Sequence, residues 1–204
     1  MNERTDCIML AAGMSSRSQK WKLLLPLKGS TIIESSVKNA LAACAQVTLV
    51  AGYRANELKR LFNSWNDVQT LVNPVFDRGM LSSIKTGVAA VNTKRFFIAL
   101  GDMPLVTPAV YCRLLDYRDF DAVMPKYQGK IGHPLLVSRS VGDRILELDD
   151  SQTLRDALKQ FPTLAIPVAE QHVLQDIDSL TDYERVVESA DRNCEGERRM
   201  CSTG

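Results

Sequence analysis

The chain has 204 residues, 45% of them hydrophobic, and 25 Lys plus Arg against 24 Asp plus Glu leave a formal net charge of +1. That length suits one domain with a full core, and the balanced charge gives no general reason to expect nucleic acid or an anionic membrane as a partner. No apolar run nears the roughly 18 residues of a membrane span, and the polar start Met1-Asn2-Glu3-Arg4-Thr5-Asp6 lacks the form of a signal peptide, so a cytoplasmic location is expected. Among the cysteines, Cys7, Cys44, Cys112, Cys194 and Cys201, there is no Cys-x-x-Cys pair, which argues against a zinc ribbon or a disulfide framework. Cys7, Cys44 and Cys112 lie in apolar patterns and are expected to be buried, Cys194 and Cys201 to be exposed.

Strand and helix patterns alternate along the chain. Residues 7–10 read as a buried strand that ends in small residues. Thr31-Ile32-Ile33-Glu34 has the form of a capping box and opens a helix to about residue 44. A strand at 47–50, a helix at 56–62 and a strand at 68–72 follow, then a helix over 80–91 with Ile84, Val88 and Val91 at helical spacing. Residues 96–100 are wholly apolar, as at the centre of a parallel sheet. Beyond 102, strands at 122–124 and 134–137 flank the turn Gln128-Gly129-Lys130, an expected hairpin-like insertion. Helices near 141–148 and 154–161, a strand at 164–168 and a helix at 182–187 complete the pattern. It predicts an α/β fold with a three-layer, doubly wound, mostly parallel sheet as a single domain over 1–188. The polar tail 189–204 is expected to be disordered.

Several segments carry candidate chemistry. Gly13, the hydroxyls of Ser15 and Ser16 and the cations Arg17, Lys20 and Lys22 follow the first strand. Small residues allow close backbone approach, successive N–H groups can cradle an anion, and the cations can meet a polyphosphate. The spacing is neither a Walker A motif nor a dinucleotide fingerprint, and the plainer alternative is an ordinary loop with solvated cations. Asp102, at the carboxyl end of the 96–100 strand, falls on the same rim of a parallel sheet as Gly13. A carboxylate facing a triphosphate needs a cation between them, and Mg²⁺ suits both oxygen types. Capping of the helix near Thr107 and Pro108 is the competing role for Asp102, and the companion loop favours the metal. In Asp176-Ile177-Asp178-Ser179 the two carboxylates share one side of an extended segment, and metal binding and helix capping stand about even on the residues alone. Asn73 through Gly79, Ser82 and Ser83 offers close approach to a flat base and hydroxyl contacts, or simply capping. Lys85, one turn on, either is an exposed helix lysine or faces a second substrate. His133, between Gly132 and Pro134, is held in a restricted backbone and in isolation reads as a turn histidine.

The stretch Leu10-Ala11-Ala12-Gly13-x-Ser15-x-Arg17 with Lys22 resembles the opening signature of the nucleotidyltransferase superfamily, with Ser18 and Gln19 where Met and Gly are usual. Trp21-Lys22, Gly52-Tyr53-Arg54, Asn56-Glu57-Leu58, Asn73-Pro74, Gly101-Asp102-Met103-Pro104, Gly132-His133-Pro134 and Asp176-Ile177-Asp178 fall in the order of the bacterial molybdenum cofactor cytidylyltransferases, a resemblance covering about residues 7–188. It implies a fold like that of the nucleotide-diphospho-sugar transferases and Mg²⁺-dependent transfer of CMP from CTP to molybdopterin that carries molybdenum. By the same resemblance Lys22, Arg17 and Asp102 are catalytic, and Asp102 and Asp178 hold the metal. Leu10, Ala11, Ala12, Gly13, Ser15, Arg17, Lys22, Asn73, Gly79, Ser82 and Ser83 bind the nucleotide, and Lys85 and His133 face the acceptor. A molybdoenzyme of the xanthine dehydrogenase type is the implied partner. A same-fold enzyme using another nucleotide or acceptor, or a non-catalytic cofactor chaperone, are the alternatives.

Overall fold

The computed structural model describes residues 4–13 and 21–188. Its centre is a mixed eight-stranded sheet. The strands are β1 (Asp6–Ala11), β4 (Gln46–Ala51), β5 (Val68–Val72), β6 (Arg95–Leu100), β7 (Ala122–Tyr127), β8 (Lys130–Ile131), β9 (Leu135–Ser138) and β10 (Thr163–Pro167). They run in the order β10-β7-β9-β6-β1-β4-β5, with β8 paired to β7. A separate ribbon joins β2 (Pro26–Leu27) to β3 (Ser30–Thr31).

One half of the sheet is parallel. β1 pairs β4 on one side and β6 on the other, and β4 pairs β5, all in the same direction. β1 is buried at every position, as a central strand covered on both faces must be. The chain winds outward from β1 through α1 (Ile32–Leu41) to β4 and α2 (Ala55–Leu61) to β5, then crosses back through α3 (Met80–Val88) to β6. The strand order therefore reverses between β1 and β6, the place where open α/β sheets form a ligand crevice.

The helices cover both faces. Alternating residues of β1 divide between two cores: Cys7, Met9 and Ala11 pack with α1, α2 and α4 (Pro108–Leu115). Ile8 and Leu10 pack with α3, α5 (Arg139–Glu147) and α6 (Leu154–Leu158). A last helix, α7 (180–188), joins the first of these layers through Val186. Fully burying side chains such as Ile32, Ile33 and Val37 on α1 contributes about 1.5–3 kcal/mol each. The expected capping box is present, with Thr31 Oγ1 accepting from the Glu34 amide and Glu34 Oε2 accepting from the Thr31 amide.

Beyond β6 the sheet changes direction, because β9 runs antiparallel to both β6 and β7. The expected hairpin closes at Gln128-Gly129, both at positive φ, and joins β7 to β8. The strand expected at 134–137 is β9, seated inside the main sheet between β6 and β7 and not beside the turn. Cys7 and Cys44 are buried, whereas Cys112 is exposed on α4, against expectation: apolar neighbours such as Val110, Tyr111 and Leu114 form the buried face and leave position 112 outside it. Cys194, Cys201 and the tail 189–204 lie outside the described residues. No helix among the described residues is long and apolar enough to cross a membrane.

Helix α3 approaches the sheet closely because Gly87 has no side chain. A Cβ there would lie 2.3 Å from Ile8 Cγ2 and 3.1 Å from Val50 Cγ2. Gly87→Ala is expected to lower unfolding free energy by about 1–3 kcal/mol, the usual cost of overpacking, read as a reduced midpoint in chemical denaturation.

Candidate active site

The site forms at the carboxyl ends of the parallel strands. The Gly101 amide donates to the Leu10 carbonyl at 2.9 Å, which sets the turn after β6 beside the end of β1. Helix α1 fixes that turn from the other side: Ser36 Oγ donates to the Gly101 carbonyl at 3.0 Å, and Asn39 Nδ2 donates to the Pro104 carbonyl at 2.9 Å. Gly101 has no room for a side chain, since a Cβ would lie 2.5 Å from Ile33 Cδ1. Asp102 is thereby directed at the rim near Gly13.

The 176–178 segment is stitched to the same turn. The Ile177 amide donates to the Asp102 carbonyl at 3.1 Å, and the Ile177 side chain is buried. Asp176 and Asp178, one residue either side, line the cleft together with Asp102. The cap of α7 is Ser179, whose hydroxyl accepts from the Asp182 amide while its own amide and hydroxyl donate to Asp182 Oδ2. The N-cap position of helix α4 is Thr107, five residues beyond Asp102, with Pro108 at the first turn and no side-chain capping hydrogen bond. Capping therefore accounts for neither Asp178 nor Asp102.

Lys22 faces these carboxylates across the crevice. It opens a 3₁₀ turn (Lys22–Leu24) after Trp21, a buried ring stacked edge-on by Tyr53 and covered by the Arg54 guanidinium 5.1 Å from its centroid. Lys22 Nζ donates to Asp102 Oδ2 at 2.8 Å and to Asp178 Oδ1 at 2.9 Å, with 14% of its side chain exposed. Burial works to lower the pKa of this ammonium, but the two carboxylates outweigh it and leave it raised. Asp176 has its pKa raised, first by burial and then by repulsion from Asp178 and Asp102. Oxygens of Asp102, Asp176 and Asp178 lie within 4.8 Å of one another. All-oxygen donors at that spacing fit a hard divalent cation, and the Lys22 ammonium already seated between two of them shows that the spot accepts positive charge.

The cleft, of about 460 Å³, runs from these carboxylates past Leu10, Ala12 and Gly13 to Phe76, Asp77, Gly79, Met80 and Ser83. Of the expected nucleotide-binding residues, Leu10, Ala12, Gly13, Gly79 and Ser83 line it. Ala11 turns the other way, into the core with Met9 and Cys7. Ser15 and Arg17, like Ser18 and Gln19, lie outside the described residues. Gly79, at φ 98°, turns the chain into α3. Asn73 is buried beneath that turn, with Nδ2 donating to Ser82 Oγ at 2.8 Å and Ser83 Oγ at 3.0 Å, and Oδ1 accepting from the Val75 amide. Ser82 Oγ is further engaged with the Gly79 and Val75 carbonyls, so its hydroxyl serves the loop while Ser83 faces the cleft.

Neither expected acceptor residue lines the cleft. Lys85 donates from Nζ to the Leu148 carbonyl past the end of α5 and is not among the cleft residues. His133, just before β9, is anchored by its amide on the Val173 carbonyl at 2.9 Å and lies close enough to feel the charge of Asp102, but it too is not among the cleft residues. Burial lowers its pKa, opposed by a hydrogen bond to the Ile98 backbone and by the charge of Asp102. Phe76, Asp77, Met80 and Leu100 complete the cleft and were not among the expected binding residues, and Asp176, expected as the less favoured cation ligand beside Asp178, lines it as well. Only Asp176 carried a signal in the sequence, the alternation with Asp178 about Ile177.

A family model described as the MobA-like NTP transferase domain matches residues 7–166. The molybdenum cofactor cytidylyltransferase of Escherichia coli (strain K12) is 35% identical over 178 residues, 87% of this chain and 93% of that protein. A nucleotidyl transferase from Methanothermobacter thermautotroptrophicus superposes with a TM-score of 0.83 at 25% identity, covering 95% of this chain and all of that one. A complex of Rv0371C with manganese from Mycobacterium tuberculosis H37Rv superposes with a TM-score of 0.74 at 26% identity, covering 91% and 99%.

Asn73 is the post on which one cleft wall hangs. Asn73→Ala is expected to remove about 1–3 kcal/mol of stability, the cost of stranding buried polar partners, and to weaken nucleotide binding measured by calorimetry. Native stability together with native nucleotide affinity would show that the 75–83 wall stands without it.

Proposed function

The chain belongs to the MobA-like NTP transferase family, and from that premise we propose that it transfers CMP from CTP to the terminal phosphate of molybdenum-bearing molybdopterin, releasing pyrophosphate. The observation that carries this reading is the meeting of Lys22 with Asp102, Asp176 and Asp178 at one end of a cleft whose far wall is the 76–83 segment. Similarity to the E. coli cytidylyltransferase over most of both chains supports the choice of nucleotide and acceptor.

In the proposed reaction an oxygen of the acceptor phosphate attacks the α-phosphorus in line. A new P–O bond forms, the bond to the α,β-bridging oxygen breaks, and its electron pair departs with pyrophosphate. The acceptor is already anionic, so no nucleophile from the protein is required. Lys22, with Arg17 assigned to the same role from the sequence, meets the phosphate oxygens as charge moves onto the leaving group, and the gain comes from positioning and electrostatics. Asp102 and Asp178, with Asp176 adjacent, are the residues that would hold Mg²⁺, which when bound neutralises phosphate charge. Small residues at Ala12 and Gly13 let the triphosphate lie against the backbone, and Ser83 with the amides opening α3 faces the base. His133 is assigned to the acceptor side of the rim, the reaction to the cytoplasm, and the product to a molybdoenzyme of the xanthine dehydrogenase type.

Pyrophosphate release from CTP, GTP, ATP and UTP, with and without molybdopterin and Mg²⁺, tests this directly. Turnover is expected with CTP, Mg²⁺ and molybdopterin together. A preference for GTP would place the chain with the guanylyl-transferring branch of the fold, and no release with any nucleotide would favour a carrier role.

Asp102→Ala is expected to lower kcat/KM by about a hundredfold or more, in line with losing several kcal/mol of metal templating, while the fold survives. Near-native turnover at saturating Mg²⁺ would remove Asp102 from the metal site. Ser83→Ala is expected to lower the ratio of CTP to GTP in kcat/KM, because a buried polar contact to the base edge discriminates more than it binds. An unchanged ratio would move base recognition to the main chain.

A further inference from the structure

We propose that Lys22 holds the cation position in the free protein and gives it up when a triphosphate binds, so that metal and nucleotide affinity are coupled through one side chain. The inference rests on the assignment of Asp102 and Asp178 to a divalent cation.

The geometry is that of a bridge. Nζ sits 2.8 Å from an oxygen of Asp102 and 2.9 Å from one of Asp178, two members of the same three-acid cluster. A divalent ion drawing on both of those oxygens would lie within a few ångströms of the ammonium, and two positive charges so close repel strongly. The ion enters only as Nζ leaves. Departure from the acids needs another anion within the reach of a flexible four-carbon stem. Ala12 and Gly13 line the same cleft, where bound phosphate oxygens would supply that anion. The nucleotide therefore clears the site for the metal, and by reciprocity a metal in the site frees Lys22 for the nucleotide. The free protein is protected from filling its acidic cluster with a metal before the substrate arrives.

The test is Mn²⁺ binding without nucleotide, followed by electron paramagnetic resonance, for the native protein, Lys22→Met and Asp178→Asn. Lys22→Met is expected to bind Mn²⁺ about tenfold or more tightly than the native protein, the scale of one charge-assisted competitor removed. Asp178→Asn is expected to bind more weakly than Lys22→Met. Equal or weaker binding by Lys22→Met overturns the coupling while leaving the metal assignment standing. If neither the native protein nor Lys22→Met binds Mn²⁺, the metal assignment itself fails and the coupling with it. Circular dichroism checks folding, and should Lys22→Met not fold, Lys22→Gln, which keeps a donor and drops the charge, carries the same comparison.

Discussion

Three carboxylates gathered within 4.8 Å of one another push apart. Asp176 and Asp178 are exposed, so water screens each like-charged pair to well below the roughly 4 kcal/mol expected at about 4 Å and an effective dielectric near 20, but the repulsion keeps its sign. The rim is organised to hold that arrangement closed. Lys22 supplies the charge, and uncharged tethers supply the geometry: Leu10 to Gly101, Gly101 to Ser36, and Asp102 to Ile177. None of these tethers is a side-chain contact between acids. The backbone and the helix beneath are held by the core, so the electrostatic cost at the surface is carried by burial elsewhere, chiefly Ile33 and Ile177 under the turn.

Much of this was legible from residue order. The parallel half of the sheet follows from short apolar runs separated by amphipathic segments, and its boundaries shift by a residue or two at most strands: 7–10 became Asp6–Ala11, and 96–100 became Arg95–Leu100. Helices expected to reach residues 91 and 161 end earlier, at Val88 and Leu158, since the apolar residues beyond pack from turns. Asp102 was identifiable because its place at a strand end is a local property. The pairing of Asp176 with Asp178 was likewise local, an alternation about an apolar residue.

What could not be read depends on contacts far apart in sequence. Whether Ser82 or Ser83 faces the cleft depends on which hydroxyl the Gly79 and Val75 carbonyls engage. Lys85 sits at helical spacing from the binding segment, yet its ammonium is taken by a carbonyl 63 residues away. The side of α4 on which Cys112 falls was set by a phase that a short helix, with apolar residues on several sides, does not declare. Phe76 reaches the cleft against Gly52, where a Cβ would come within 2.5 Å of its ring, and no pattern near either residue announces that contact.

The reversal at β9 has a consequence for how the molecule can vary. Where strands run parallel, the loops that reach the rim are those that follow each strand, and each also feeds a crossover helix whose length is constrained. β9 runs the other way, with Leu135 opposite Ile98 at the end of β6, so it is the segment before the strand that reaches the rim. Residues 128–134 lead from β7 to β9 through the short strand β8, without any helix between them. Insertions there would reshape one end of the rim, around His133, without disturbing the β1–β6 register that brings Gly13 and Asp102 together. The two ends of the cleft are thus free to diverge at different rates, one bound to the winding of the sheet and the other hung on a hairpin.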